Sequence, residues 1–205
     1  VSEVIPEITS APAILLLWAA IGYLAGSVPF GIVFAWVFRL GDLRQIGSGN
    51  IGATNVLRTG NRLAALLTLV MDSGKGAFVT LAALGAAGWD AAQVAALFSF
   101  LGHCFPVWLR FRGGKGVATF LGILIALSPA TGAAACATWL VAAGLTRYSS
   151  AGALAAAVLA PIWAITMARG DLLMLLVALA FLVLWRHQGN ITRLMAGTEP
   201  RIGRK

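Results

Sequence analysis

Six stretches of the chain are almost wholly apolar: residues 13–38, 63–87, 91–109, 117–145, 149–168 and 172–185. Runs of this length predict membrane-crossing helices, and so an all-α integral membrane protein. The first run is not expected to be a signal peptide. No basic residue precedes it, whereas Glu3 and Glu7 do, and it is too long for the apolar core of one. The fourth run stands apart, because a helix of 29 residues would be about 44 Å long against an apolar bilayer core of about 30 Å. Ser128, Pro129 and Gly132 fall inside it, so it reads either as one kinked crossing or as two short ones.

The basic residues choose between these. With six crossings and the N-terminus outside, eight Lys and Arg residues fall inside and six outside, which is almost no bias. With the fourth run split, thirteen fall inside, only Arg169 falls outside, and Lys75 lies within a crossing. The positive-inside rule favours the second arrangement. The prediction is one transmembrane domain over residues 1–205, with an outside N-terminus, a cytoplasmic C-terminus and seven helices near 13–38, 63–87, 91–109, 117–128, 130–146, 149–168 and 172–187. The two halves of the split run and the last run are short for a full crossing, so local thinning of the bilayer or snorkelling of Arg186 is expected there.

Composition agrees and excludes other classes. Hydrophobic residues make up 60% of the 205 and charged residues 11%, with a mean hydropathy of +0.89. A soluble globule, a disordered chain and a disulfide framework are all excluded. Cys104 and Cys136 sit in apolar runs and read as inert packing. The net charge of +8 forms no stripe, so it implies topology and anionic ligands rather than nucleic acid.

Four polar segments then share the cytoplasmic face: residues 39–62, 110–116, 147–150 and 186–205. The outer connections near 88–90, 128–129 and 169–171 are too short to hold a site. In the first segment, Gly47-Ser48-Gly49-Asn50-Ile51-Gly52-Ala53-Thr54-Asn55 matches the dinucleotide fingerprint G-x-G-x-x-G. That fingerprint needs a βαβ unit, and here membrane helices flank it, so the match is a decoy. The glycines still allow backbone N–H groups to converge on an anion, with Ser48, Asn50, Thr54 and Asn55 as further donors and Arg58 close by. A flexible interfacial loop is the plainer alternative.

The second segment, Arg110-Phe111-Arg112-Gly113-Gly114-Lys115-Gly116-Val117-Ala118-Thr119, lacks the Ser or Thr that must follow the lysine of a Walker A loop. It does set a glycine-rich turn and an ammonium at the head of a helix, where free N–H groups and the helix dipole favour anions. In Arg186-His187-Gln188-Gly189-Asn190, a continued helix would put His187 and Asn190 on one face, and Asn190 and Arg193 likewise. His187 is a candidate base or phosphate donor, against a solvated helix end as the plain alternative. Asp72 and Lys75, three residues apart inside a crossing, are expected to pair because each alone would cost about 2.5–3.5 kcal/mol. His103 reads as a hydrogen-bonded core histidine, and two scattered histidines and two cysteines make no metal site.

These segments, together with Ser27-Val28-Pro29-Phe30-Gly31, Asp72-Ser73-Gly74-Lys75-Gly76, Gly102–Thr119, Tyr148-Ser149-Ser150 and Arg186–Arg193, resemble the bacterial acyl-phosphate:glycerol-3-phosphate acyltransferases. The resemblance runs from about Ser27 to Arg193 in the family's order, and the tail after Arg193 carries no readable signal. It implies seven helices in the inner membrane, a cytoplasmic active site, no cofactor and no obligatory protein partner. It also implies transfer of an acyl group from acyl phosphate to the 1-position of glycerol 3-phosphate, giving lysophosphatidic acid and phosphate. Ser48, Arg58, Lys115, His187 and Asn190 would hold glycerol 3-phosphate. Gly47, Gly49, Asn50, Gly52, Thr54 and Asn55 in one loop, and Gly113, Gly114, Gly116 and Thr119 in the other, would cradle acyl phosphate, with Ser149 and Ser150 alongside.

The related acyltransferases that pair a His with an Asp five residues on are not matched, since Trp108 and Thr192 stand at those positions. An organophosphate transporter is a rival, but no inverted repeat is visible and the polar segments cluster on one face instead of the midplane. A lipid-binding protein with a basic face is another, and it would not need two glycine-rich loops.

Overall fold

The computed structural model describes residues 7–203. Glu3, which entered the signal-peptide reading, and Arg204 and Lys205, which entered the charge count, lie outside the described residues. Within them the chain is helical without strands. The helices are α1 (Pro12–Gly26), α2 (Phe30–Val37), α3 (Ala53–Leu57), α4 (Arg62–Ala87), α5 (Trp89–Cys104), α6 (Val117–Leu127), α7 (Pro129–Thr146), α8 (Ser149–Thr166), α9 (Leu173–Arg186) and α10 (Gln188–Met195).

Among the described residues, four stretches are long and apolar enough to cross a membrane: Pro12–Val37, Arg62–Ala87, Trp89–Leu109 and Ser149–Thr166. A fifth is the pair Gly170–Arg186 and Gln188–Met195, bent by 60°. The first is not continuous. Pro29 removes a backbone donor and disfavours helical geometry at Val28, so the helix is interrupted between α1 and α2. Lys75 of α4 reaches this interruption, donating to the Val28 carbonyl at 2.7 Å and to Asp72 at 2.8 Å. The expected Asp72–Lys75 pair is therefore present, and both side chains are buried. The fourth apolar run breaks at Ser128, where extended backbone precedes a proline in the first turn of α7. The 11-residue α6 and the 18-residue α7 are separate helices.

Small residues set the packing. α1 lies along α5, α4 along α5 and α6, and α7 along α8. At Gly26 and Gly102 an added methyl would collide with the backbone of the facing helix, Ser99 or Tyr23. Backbones thus approach as they do in membrane bundles, where packing replaces the hydrophobic effect. Phe100, Phe120, Ile123, Leu124, Leu176 and Val183 fill the interior, while Trp36, Phe78, Leu145 and Phe181 face outward. Cys104 is buried and Cys136 half-buried, both free thiols. His103 is a core residue, as expected, but its Nδ1 lacks a hydrogen-bond partner and stands 3.6 Å from the Asp72 carboxylate.

Side-chain bonds gather the connections at two ends. At one, Asp90 accepts from the Thr9 and Ser10 amides, and Arg169 pairs with Asp171 and donates to the Leu127 carbonyl. These local ties close that end. The other end holds the glycine-rich loops.

Candidate active site

The loop between α2 and α3 is organised by the buried Asn55. Its side-chain oxygen accepts from the Ser48 amide at 3.1 Å, the Ser48 hydroxyl at 3.4 Å and Arg58 Nη1 at 3.3 Å, while its amide donates to the Leu43 carbonyl at 2.8 Å. Gly47 has φ of +53°, and a methyl there would stand 2.5 Å from Arg58 Cδ and 2.7 Å from Asn55 Oδ1. Only glycine lets the chain pass so close to the guanidinium it helps to aim. Gly49 is also left-handed, and Gly52 precedes the first turn of α3 with the Asn50 amide beside it. The Thr54 hydroxyl reaches Ser149 at 3.1 Å, tying this loop to the head of α8.

The loop between α5 and α6 uses its glycines differently from the expectation. The Gly113 and Gly114 amides donate to the Cys104 and His103 carbonyls, both at 3.1 Å. Their own carbonyls accept from Arg186, Gly113 from Nη2 and Gly114 from Nε, again at 3.1 Å. These two N–H groups are therefore spent on holding the loop. The donors left for an anion come after them, from Lys115 through Gly116 into the unsatisfied first turn of α6. Gly116 makes the turn with φ of +81° against the Phe100 ring. Thr119 is not brought to the cluster, because its hydroxyl donates to the Asp72 carbonyl of α4 at 2.9 Å.

The bend between α9 and α10 supplies the third wall. His187 is buried, and its Nδ1 lies 2.8 Å from the Val183 carbonyl. A carbonyl can only accept, so Nδ1 carries the proton, and in the neutral ring Nε2 is the acceptor. Asn190 accepts from Lys115 Nζ at 2.6 Å and donates to Glu199 Oε1 at 2.6 Å. Glu199 also accepts from Ser150 Oγ at 2.7 Å and Arg193 Nε at 2.8 Å. Arg58 Nη2 reaches the carbonyl of the next residue, Pro200, at 3.4 Å.

The structure thus brings together Ser48, Arg58, Lys115, His187, Asn190 and Ser150, and adds Arg186 and Glu199. Arg186 had a signal, since it adjoins His187 in the same motif. Glu199 had none: it is a single acid in the basic tail after Arg193, where no motif was readable.

Burial pushes the Lys115 ammonium down to about 8, against the pull of Glu199 and with help from Arg193, Arg186 and Arg58. Burial likewise lowers Arg58, although a guanidinium remains charged. For Glu199 burial works upward, but the hydrogen bonds from Ser150, Asn190 and Arg193 outweigh it and hold the carboxyl below its ordinary range. Cations outnumber the single carboxylate here, so the cluster is built for anions. Among the described residues no group of three His, Cys, Asp or Glu side chains is placed to hold a metal.

The profile of the family described as glycerol-3-phosphate acyltransferase matches residues 16–197. The chain belongs to that family. It is 59% identical over 191 residues to the glycerol-3-phosphate acyltransferase of Roseobacter denitrificans, covering 93% of this chain and 96% of the relative. It is 58% identical over 200 residues to that of Cereibacter sphaeroides, covering 98% and 95%. Among solved structures it is similar to PlsY (YgiH), an integral membrane glycerol 3-phosphate acyltransferase. The glycerol 3-phosphate form of PlsY aligns with a TM-score of 0.87 at 36% identity, over 92% of this chain and 96% of that one. Its lysophosphatidic acid form aligns with a TM-score of 0.84 at 33% identity, over 92% and 95%. As a glycerol-3-phosphate acyltransferase the chain is a membrane transferase, and its polar cluster is the candidate seat of that activity.

Proposed function

We propose that this protein transfers a fatty acyl group from acyl phosphate to the 1-hydroxyl of glycerol 3-phosphate, releasing lysophosphatidic acid and phosphate. This is the first acylation of bacterial phospholipid synthesis. The supporting observation is the convergence of Arg58, Lys115, Arg186 and Arg193 with Ser48, Ser150, His187 and Asn190 between two glycine-rich loops. Such a set suits two substrates that both carry phosphate.

Glycerol 3-phosphate rests against Ser48, Arg58, Lys115, His187 and Asn190. The acyl phosphate lies along Gly47–Asn55 and the Lys115–Gly116 turn, with Gly113 and Gly114 shaping that turn. The hydroxyl oxygen attacks the acyl carbon, and the bond from that carbon to the phosphate oxygen breaks with its electron pair leaving on phosphate. The hydroxyl proton passes to a phosphate oxygen of the donor, while His187 Nε2 orients the hydroxyl. A mixed anhydride already has a good leaving group, so the protein need only position two anions that repel and stabilise the charge that develops. No nucleophilic Ser or Cys is required, and no cofactor.

The same reading places seven helices across the inner membrane, with α1 and α2 as one crossing and α6 and α7 as two. The N-terminus is outside, and the cluster is at the cytoplasmic face with most basic residues. The acyl tail extends between helices into the bilayer.

The test is direct. Purified protein given acyl phosphate and glycerol 3-phosphate forms lysophosphatidic acid and inorganic phosphate in equal amounts. No product, with uptake of glycerol phosphate into vesicles carrying the protein, would replace this reading with a transporter.

A further inference from the structure

A second polar feature stands on the other side of the Gly47–Asn55 loop. A cavity of about 1030 Å³ opens between α2 and the chain that follows it. α2 contributes Ile32, Ala35 and Trp36 to its lining, and the later chain Leu43, Ile51 and Leu109. Arg39 and Arg44 stand at its rim. None of Lys115, His187, Asn190 or Glu199 lines it, and of the Gly47–Asn55 loop it touches Ile51 alone.

Its charge is unbalanced. Among the described residues, no carboxylate lies within ion-pair distance of Arg39, Arg44, Arg110 or Arg112. The one acid at the rim, Asp42, is engaged locally, accepting from the Arg44 amide at 2.9 Å and the Gln45 side chain at 3.4 Å. Arg44 Nη2 rests on the Arg112 carbonyl at 3.3 Å, which draws the two basic loops together. Trp36 in that lining is exposed, and so is Trp108, the neighbour of Leu109 in sequence. Indole rings with guanidinium groups above an apolar wall are what the headgroup level of a bilayer favours.

We propose that this cavity binds an anionic diacyl phospholipid. Its headgroup phosphate lies between Arg39 and Arg44, and an acyl chain lies along Ile32, Trp36 and Leu109. A free inorganic anion would leave the exposed Trp36 and the half-buried Ile32 and Leu109 wet, and a zwitterionic lipid would bring its own ammonium up to the two guanidinium groups together with its phosphate. An anionic lipid satisfies both. The Leu43 and Ile51 wall is the back of the substrate loop, and the Leu43 carbonyl holds Asn55 at 2.8 Å. The bound lipid therefore buttresses Ser48 and Arg58 from behind, independently of which acyl donor the enzyme uses.

The experiment is native mass spectrometry of the purified full-length protein in a neutral detergent. Phosphatidylglycerol and phosphatidylcholine with the same acyl chains are offered. The wild type retains phosphatidylglycerol preferentially, and R39Q/R44Q weakens that retention about thirtyfold, as expected for the loss of two charges near a lipid surface. R62Q/R147Q, with the same net charge, keeps the wild-type preference. Millimolar inorganic phosphate or the glycerophosphoglycerol headgroup alone does not displace the lipid. Equal retention of the two lipids by the wild type, equal losses in the two double variants, or displacement by the tail-less anions would each overturn the proposal. The wild-type lipid comparison does not depend on any variant folding.

Discussion

The Lys115 ammonium and the Asn190 side-chain oxygen lie 2.6 Å apart, joining the loop before α6 to the short helix α10 across 75 residues of sequence. Asn190 passes the connection on to Glu199, and Glu199 to Ser150 and Arg193. The cationic groups are held in place before any substrate arrives, which is the condition for electrostatic stabilisation without reorganisation.

Lys115→Ala, Ser48→Ala and Arg58→Ala each lower kcat/KM by about 100-fold or more, the usual loss when one preorganised donor is removed. Steady-state acyl transfer with purified variants checks this. Near-normal rates in all three would remove the site assignment.

Because Lys115 titrates near pH 8, kcat/KM falls as pH rises through about 8 and the ammonium is lost. Stability moves the other way. The folded chain gives up this proton near pH 8 and the unfolded chain near its ordinary value of 10.5, so between these values the unfolded state binds more protons and stability rises with pH. Parallel pH profiles of rate and thermal midpoint test the pair. Lys115→Arg, charged throughout, loses the alkaline limb even if its rate is low.

Glu199→Gln removes the charge that supports the Lys115 ammonium, so the alkaline limb of kcat/KM moves to lower pH. Glu199→Ala also leaves the Asn190 amide and the Ser150 hydroxyl without their acceptor, costing about 1–3 kcal/mol in thermal or denaturant unfolding. An unshifted pH profile in the glutamine variant would show that Glu199 is a purely structural tie.

Arg186→Lys cannot reproduce the two-pronged hold on the Gly113 and Gly114 carbonyls. The KM for acyl phosphate is expected to rise about tenfold with a smaller change in the KM for glycerol 3-phosphate, about 1.4 kcal/mol of lost uniform binding. Equal changes in the two would place Arg186 with both substrates.

Lys75→Met strands the buried Asp72 carboxylate and costs about 3–5 kcal/mol, most of which Asp72→Asn in the same chain recovers. Thermal midpoints of the single and double variants in detergent measure the coupling. Additive losses would mean that Lys75 acts chiefly through the Val28 carbonyl.

What could be read in advance depended on how local each signal was. Pro129 after Ser128 marks a break that the structure places there, and the four polar segments carry the groups that meet, from Ser48 to Asn190. The break at Val28–Pro29 was written just as locally, yet the run from 13 to 38 reads as one helix because its hydrophobicity is unbroken. Gly113 and Gly114 were legible as a loop but not in their use, since their amides pair with the end of α5, a tertiary choice. The same holds for Thr119, taken up by α4. Glu199 was hidden by its setting, because a carboxylate in a basic tail looks solvated until the fold closes over it.

The brevity of α6 bears on where chemistry and lipid meet. Its 11 residues rise about 16 Å, about half the thickness of a bilayer core. In the proposed arrangement, the turn at its head is lowered below the phosphate plane of the surrounding membrane. The acyl chain then never leaves the oil: the small polar substrate descends to the anhydride, and bulk water, the competing nucleophile, is left above.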